Sequence, residues 1–105
     1  MKMDKMLKQV QKMQAQMTLV QEELANETVE ATSGGGMVTV KANGHGEIVS
    51  LSISKEVVDP EDVEMLEDLV LSALKEAVRL GKELAEKRMN SVTGNLNLPG
   101  MPGLF

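Results

Sequence analysis

The sequence predicts an α+β fold in which a long helix, a three-stranded antiparallel meander and a second long helix follow one another along 105 residues. Three patterns carry this expectation. Apolar residues open the chain at alternating steps of three and four, an every-second-residue alternation broken by glycine occupies the middle, and a second three-four stripe follows an acidic Asp-Pro-Glu-Asp.

The first helix is expected over 3–25. Met3, Met6, Val10, Met13, Met17, Val20 and Leu24 form a strict heptad seam, the width of which suits one partner helix. Lys, Gln and Glu fill most of the remaining surface, so much of this helix should be solvated. Strands are expected over 28–32, 37–42 and 47–54. Ser33-Gly34-Gly35-Gly36 joins the first pair and Asn43-Gly44-His45-Gly46 the second, since Asn and Gly tolerate positive φ. With either a two-residue or a four-residue second loop, Val38 and Val40 share a face with Val49, Leu51 and Ile53, opposite Ser50, Ser52 and Ser54. The second helix is expected over 60–90, with Asp59 as cap, Pro60 in its first turn and acids favouring the positive end of the helix dipole. Its stripe is Val63, Leu66, Val70, Ala73, Ala77, Leu80 and Leu84, widened by Leu69 and Leu74. Residues 94–105, rich in Pro, Gly and Asn, read as a flexible tail beyond a single domain over 1–93.

Composition narrows the function. The chain is 42% hydrophobic and 26% charged, which is a globular balance, with one Phe, nine Met and no Trp or Tyr. Zero Cys excludes disulfides and thiolate metal sites and fits a reducing compartment. There is no apolar signal core at the N-terminus and no apolar run near the ~20 residues of a spanning helix, so a cytoplasmic, membrane-free, bacterial-type protein is expected.

Helix, meander, helix places the start of the first helix and the finish of the second at one end of the molecule, away from the sheet. One sheet and one stripe make a thin core for such long rods, and a homodimer with a shared body is the natural remedy. Val38, Val40, Val49, Leu51, Ile53, Leu66, Leu69 and Val70 are the candidates for that shared surface.

Charge is distributed unevenly. The net charge of −5 argues against a polyanionic partner until it is mapped. Four Lys face one Asp between Met1 and Val20, and Lys5, Lys8 and Lys12 fall within about 60° of one another on a helical wheel, opposite the Met seam. Lys75, Arg79, Lys82, Lys87 and Arg88 lie among three Glu in the second helix, whereas Glu56 to Asp68 holds seven acids and no base. Lys2, Lys5, Lys8, Lys12, Lys82, Lys87 and Arg88 are therefore the candidate phosphate contacts. Ordinary solvation of an exposed helix explains the same lysines without a ligand.

Two stretches go further than pattern. Val29 to Gly44 (VEATSGGGMVTVKANG), running on to Glu47-Ile48, and Val57 to Val70 (VVDPEDVEMLEDLV) resemble the hairpin and second-helix opening of the YbaB/EbfC family of nucleoid-associated proteins. The Met-, Gln- and Lys-rich first helix and Leu98 to Phe105 (LPGMPGLF) resemble that family too, so the likeness spans essentially the whole chain. It implies a tweezer-like homodimer that binds double-stranded DNA, alters its conformation and associates with the nucleoid. It supplies no short DNA-contact motif, so the candidate contacts rest on the charge map alone.

Catalytic readings find little support. Gly34-Gly35-Gly36 precedes a strand, not the helix a phosphate cradle needs. His45 is the only imidazole and sits in a hairpin tip, where one His without Cys does not make a transition-metal site. The acids of Glu56 to Asp68 read as a helix start and a solvated face, and no Ser, Thr or Lys has a base suited to activate it. The expectation is a non-enzyme without cofactor or small-molecule substrate, binding duplex DNA with little sequence specificity and contributing to nucleoid organisation, gene regulation or DNA protection. The alternative is a protein-binding adaptor or chaperone that uses the Met-rich arm, with Leu104-Phe105 as a docking peptide. A body that mimics DNA through its acids is a third reading.

Overall fold

The computed structural model describes residues 2–95, with side chains from 3 to 92. Helix α1 (Lys2–Leu24), strands β1 (Thr28–Ser33), β2 (Val38–Asn43) and β3 (Ile48–Ile53), a short 3₁₀ turn (Lys55–Val57) and helix α2 (Val63–Asn95) follow in that order. The strands form one antiparallel meander in spatial order β1-β2-β3. The tail expected from 94 begins inside α2 and otherwise lies outside the described residues.

Helix α2 starts three residues later than the sequence suggested. Asp59 does cap a turn, but a local one, accepting from Glu61 N at 2.9 Å while its carbonyl accepts from Asp62 N at 3.0 Å. Asp62 is the true N-cap, its Oδ1 accepting from Met65 N at 3.2 Å. Two Asp stand in sequence before the stripe, and the second lies three residues from a free helical amide. Pro60 therefore belongs to the turn between them. At its other end α2 runs on to Asn95, past the expected stop at 90.

Register puts Val38 opposite Ile53 and Val40 opposite Leu51, so these four side chains share a face of the sheet. A bulge between Lys41 and Ala42 pairs Ala42 with Ile48, which leaves Val49 outside the regular ladder. Helix α2 crosses the apolar face over β1 and β2. Ala31, Val38, Val40 and Ala42 pack there against Ala73 and Ala77, with Leu69, Val70, Leu74 and Leu80 around them. Alanines at the crossing let the helix approach closely. Near its start, Ser33 Oγ donates to Leu69 O at 2.6 Å. Gly34, Gly35 and Gly36 all have positive φ, as a turn between β1 and β2 requires.

A second, smaller cluster joins the helices: Val20 and Leu24 of α1 with Val92, Leu84, Ala85 and Met89 of α2. The β2–β3 loop sets the angle of this junction by capping α1. Gly44 N donates to Leu24 O at 2.8 Å, and Asn43 Nδ2 reaches Ala25 O at 3.4 Å. His45 Nε2 lies 2.9 Å from Gln21 O and donates to it when that nitrogen carries the proton. Those carbonyls are among the groups a helix C-terminus leaves without partners. Asn43 is itself buried, with Oδ1 accepting from His45 N and Glu47 N, so the loop is rigid at its root.

Candidate nucleic-acid interface

Only the last third of the α1 seam is enclosed. Val20 and Leu24 are buried, whereas every side chain from Met3 to Lys12 is exposed, with Met3 at 75% and Met6 at 65%. The reason lies in relative length. Arg88 sits level with Glu23, and Val92 lines a groove with Gln16 and Val20, so α2 reaches Asn95 while α1 has about a dozen residues still to run. At 1.5 Å per residue, roughly 18 Å of α1 projects as a lone rod.

This rod carries Lys5, Lys8 and Lys12, all exposed and, among the described residues, in no ion pair. Lys2 opens the helix at its free end. Asp4 is the sole acid on the segment. Both helices do run away from the sheet in the expected sense, but their cationic residues do not meet at one tip. Arg88 lies near the body, about 27 Å from Lys5 along α1, where Nη1 donates to both Glu27 oxygens at 2.6 Å and Nη2 donates to Glu23. Side-chain exposures of 30% for Arg88 and 39% for Glu27 mark a partly sheltered pair. The hydrogen bond to Glu23 chiefly raises the guanidinium's proton affinity, against partial desolvation, with the Glu27 charge adding to it. Arg88 is a staple between α2 and the α1–β1 turn, which corrects its expected place at the tip.

The other cations of α2 are spread along it. Lys87 Nζ is 3.3 Å from Glu83. Lys82 is exposed, with its aliphatic stem passing Gly46. Arg79 bridges Glu76 and Glu83, and the hydrogen bond it donates holds the Glu76 carboxyl below its ordinary range. The seven acids of 56–68 are exposed at the opposite end of α2 from the α1 rod.

Of the residues expected at a shared surface, Val38 and Val40 are fully buried within the protomer, because α2 already covers β2. They are corrected from interface to core. Leu69 likewise packs on that core, against the Gly34 turn. β3 is different: Val49 is 56% exposed, Leu51 48% and Ile53 37%, on an edge strand that α2 leaves open. Beside it runs an apolar groove of about 470 Å³ lined by Ile53, Leu66, Glu67, Val70, Leu71 and Leu74. Sequence reasoning missed the loop cap on α1 and the close contact at Gly81. A glycine inside an otherwise helical stripe was the available signal for the latter.

Among the described residues, no group of three or more His, Cys, Asp or Glu is arranged to hold a metal ion. No described helix is long and apolar enough to cross a membrane.

Comparison with known proteins agrees with this architecture. Residues 1–96 match the model of the YbaB/EbfC DNA-binding family. A nucleoid-associated protein of Pelotomaculum thermopropionicum is 54% identical over 99 residues, covering 94% of each chain. One of Thermodesulfovibrio yellowstonii is 57% identical over 98 residues, covering 93% of this chain and 86% of that protein. The crystal structure of an uncharacterized Helicobacter pylori protein superposes with a TM-score of 0.66 at 27% identity, covering 91% of this chain and 97% of the other. The chain belongs to the YbaB/EbfC DNA-binding family of nucleoid-associated proteins.

Proposed function

We propose that the protein binds double-stranded DNA as a homodimer, through phosphate contacts made by the projecting half of α1, and changes the conformation of the duplex in doing so. The observation that carries this reading is the lone rod bearing Lys5, Lys8 and Lys12 on one side, each exposed. Lys2 opens the helix at its free end, whereas Lys82 and Lys87 lie on α2 back toward the body, where they would add contacts only to a duplex that reaches past the rod. The acids of 56–68 lie more than three Debye lengths away at physiological salt, given a screening length of ~8 Å, so the net charge of −5 does not oppose binding at the rod. No aromatic and no free arginine accompanies these lysines on the rod. Recognition accordingly rests on backbone charge and duplex shape, with little base readout.

The homodimer reading rests on β3. An exposed edge strand with Leu51 and Ile53 beside an apolar groove invites association unless a partner covers it. A second copy supplies an identical apolar strip, and joining two bodies sets two rods in one assembly, the geometry of a clamp on a duplex. In a bacterial cell such a dimer belongs on the nucleoid, where it contributes to DNA organisation.

The test is an anisotropy titration on two duplexes of unrelated sequence at two salt concentrations. The expected result is similar affinity for both and a steep loss with salt, about 0.9 log units in the binding constant per log unit of salt for each phosphate neutralised. Salt-insensitive binding, or none at low salt, overturns the proposal.

A further inference from the structure

We propose that the bare seam of the α1 rod pairs, antiparallel, with the same seam of a second copy carried by a neighbouring dimer, so that dimers bound along a duplex link rod to rod. This rests on the DNA-binding homodimer proposed above and adds a second contact between copies. The seam is real surface: Met3, Met6, Leu7 and Val10 are each more than half exposed. The placement of charge says that its partner is a like helix. In heptad positions, Met3, Val10 and Met17 take a, and Met6 and Met13 take d. The flanking e and g positions between Met3 and Met17 are Leu7, Gln9, Gln14 and Gln16, all uncharged. Every charge of that stretch, on Asp4, Lys5, Lys8 and Lys12, falls at b, c or f, away from the seam. Charged e and g residues set partner choice by favouring opposite signs. Neutral ones leave a cationic helix free to pair with its own copy.

Lower on α1 the seam already accepts an antiparallel helix, where Val20 and Leu24 meet Leu84 and Val92 of α2. The same mode fits the rod. The two rods of one dimer stand apart across the duplex they hold, so the like helix comes from the next dimer, and rods that meet tip first are antiparallel. Antiparallel register sets a against d: Met3 against the other copy's Met13 and Met6 against its Val10, with Gln9 beside its own counterpart. Lys5, Lys8 and Lys12 face away from this contact and stay open to phosphate. A self-complementary face closes on one partner, but β3 and the rod seam give each protomer two such faces, and two generate an open chain. The paired stretch is short, so it forms where a duplex brings neighbouring dimers to a high effective concentration.

Met6→Gln combined with Val10→Gln removes the middle of the seam without changing charge, at two exposed positions outside the buried clusters. The parent is expected to bind a long duplex, with room for several dimers, several-fold more tightly per site than a short duplex that holds one. The double variant should match the parent on the short duplex and lose that gain on the long one. An unchanged gain in the variant, or no gain in the parent, overturns the proposal. Failure of the parent to bind either duplex removes the DNA-binding reading itself, and this inference with it. A second measurement reads the geometry. The chain has no Cys, so Gln9→Cys and Met13→Cys each carry a single thiol. On the long duplex a short bis-maleimide should join copies through Gln9→Cys and not through Met13→Cys, because antiparallel rods set the two positions 13 about 15 Å apart along the axis. Joining through Met13→Cys would mean parallel rods, and joining through neither an unpaired seam; either overturns it.

Discussion

Gly81 of α2 meets the backbone of Asn43 so closely that a Cβ at position 81 would stand 2.4 Å from Asn43 O. Helix and loop therefore touch through backbone, and the loop in turn caps α1 through Gly44 and Asn43. The direction of the rod is set by this joint. Gly81→Ala should gain ~1 kcal/mol of helix propensity and lose more, because a carbonyl oxygen cannot rotate away as a flexible side chain can. A net loss of about 1–3 kcal/mol is expected, in the range for overpacked cores, and thermal unfolding followed by circular dichroism checks it. An unchanged or raised Tm would mean that the joint is looser than described.

Arg88 anchors the same junction by charge. Its guanidinium spans Glu23 near the end of α1 and Glu27 beyond it, so one side chain holds two points of the chain 61 and 65 residues away. Arg88→Ala should speed amide exchange at Val20 to Leu24, which depend on α2 for shelter, and leave exchange in β2 unchanged. Lys87→Ala should do neither, since among the described residues Lys87 pairs with Glu83 alone, one turn away on the same exposed helix. Combining Arg88→Glu with Glu27→Arg should recover part of the protection. Loss of DNA affinity in Arg88→Ala as large as in a rod-lysine variant would return Arg88 to the binding surface.

Periodicity made the elements legible, because apolar spacing of 3.6 and 2 reflects which face each element buries. The heptad seam of α1, the alternation of β2 and the stripe of α2 all appear where the pattern put them. Interactions between elements were legible only where one pattern implied the other. Val38 and Leu51 both read as apolar-face residues, yet one is enclosed and the other bare, because a single helix is too narrow to cover three strands. Arg88 read as part of a cationic end because sequence gives a helix's direction but not its level beside a neighbour. The offset arises from the loop cap at Gly44, a close backbone contact that has no periodic signature. Capping residues were misplaced by three positions for a related reason: Asp59 and Asp62 have the same chemistry, and only geometry chooses between them.

An apolar strip on β3 makes the oligomeric state testable without disturbing the protomer. Leu51 and Ile53 lie outside the buried cluster that holds the sheet to α2. Leu51→Asp combined with Ile53→Asp should therefore keep the far-ultraviolet spectrum of the parent while light scattering after size exclusion reports a fall from dimer to monomer. Burying two carboxylates at a shared surface costs several kcal/mol, enough to shift a micromolar dimer. A variant that stays dimeric places the contact elsewhere, and a parent that is monomeric removes the second copy from the proposal.

The rod lysines give the sharpest test of function. Lys5→Ala, Lys8→Ala and Lys12→Ala together remove three exposed charges from a helix segment that shelters none of the described core, and Ala is the better helix former. Tm and oligomeric state should therefore match the parent. If these lysines neutralise phosphates, affinity should fall on every duplex by a similar factor. The slope of log binding constant against log salt should flatten by about 0.9 for each phosphate that is no longer neutralised. Lys55→Ala, which removes one charge beside the acidic end, should change neither quantity because it lies far from the rod. Equal losses in the triple variant and in Lys55→Ala would mean that binding responds to net charge alone and that the rod is not where the duplex is held.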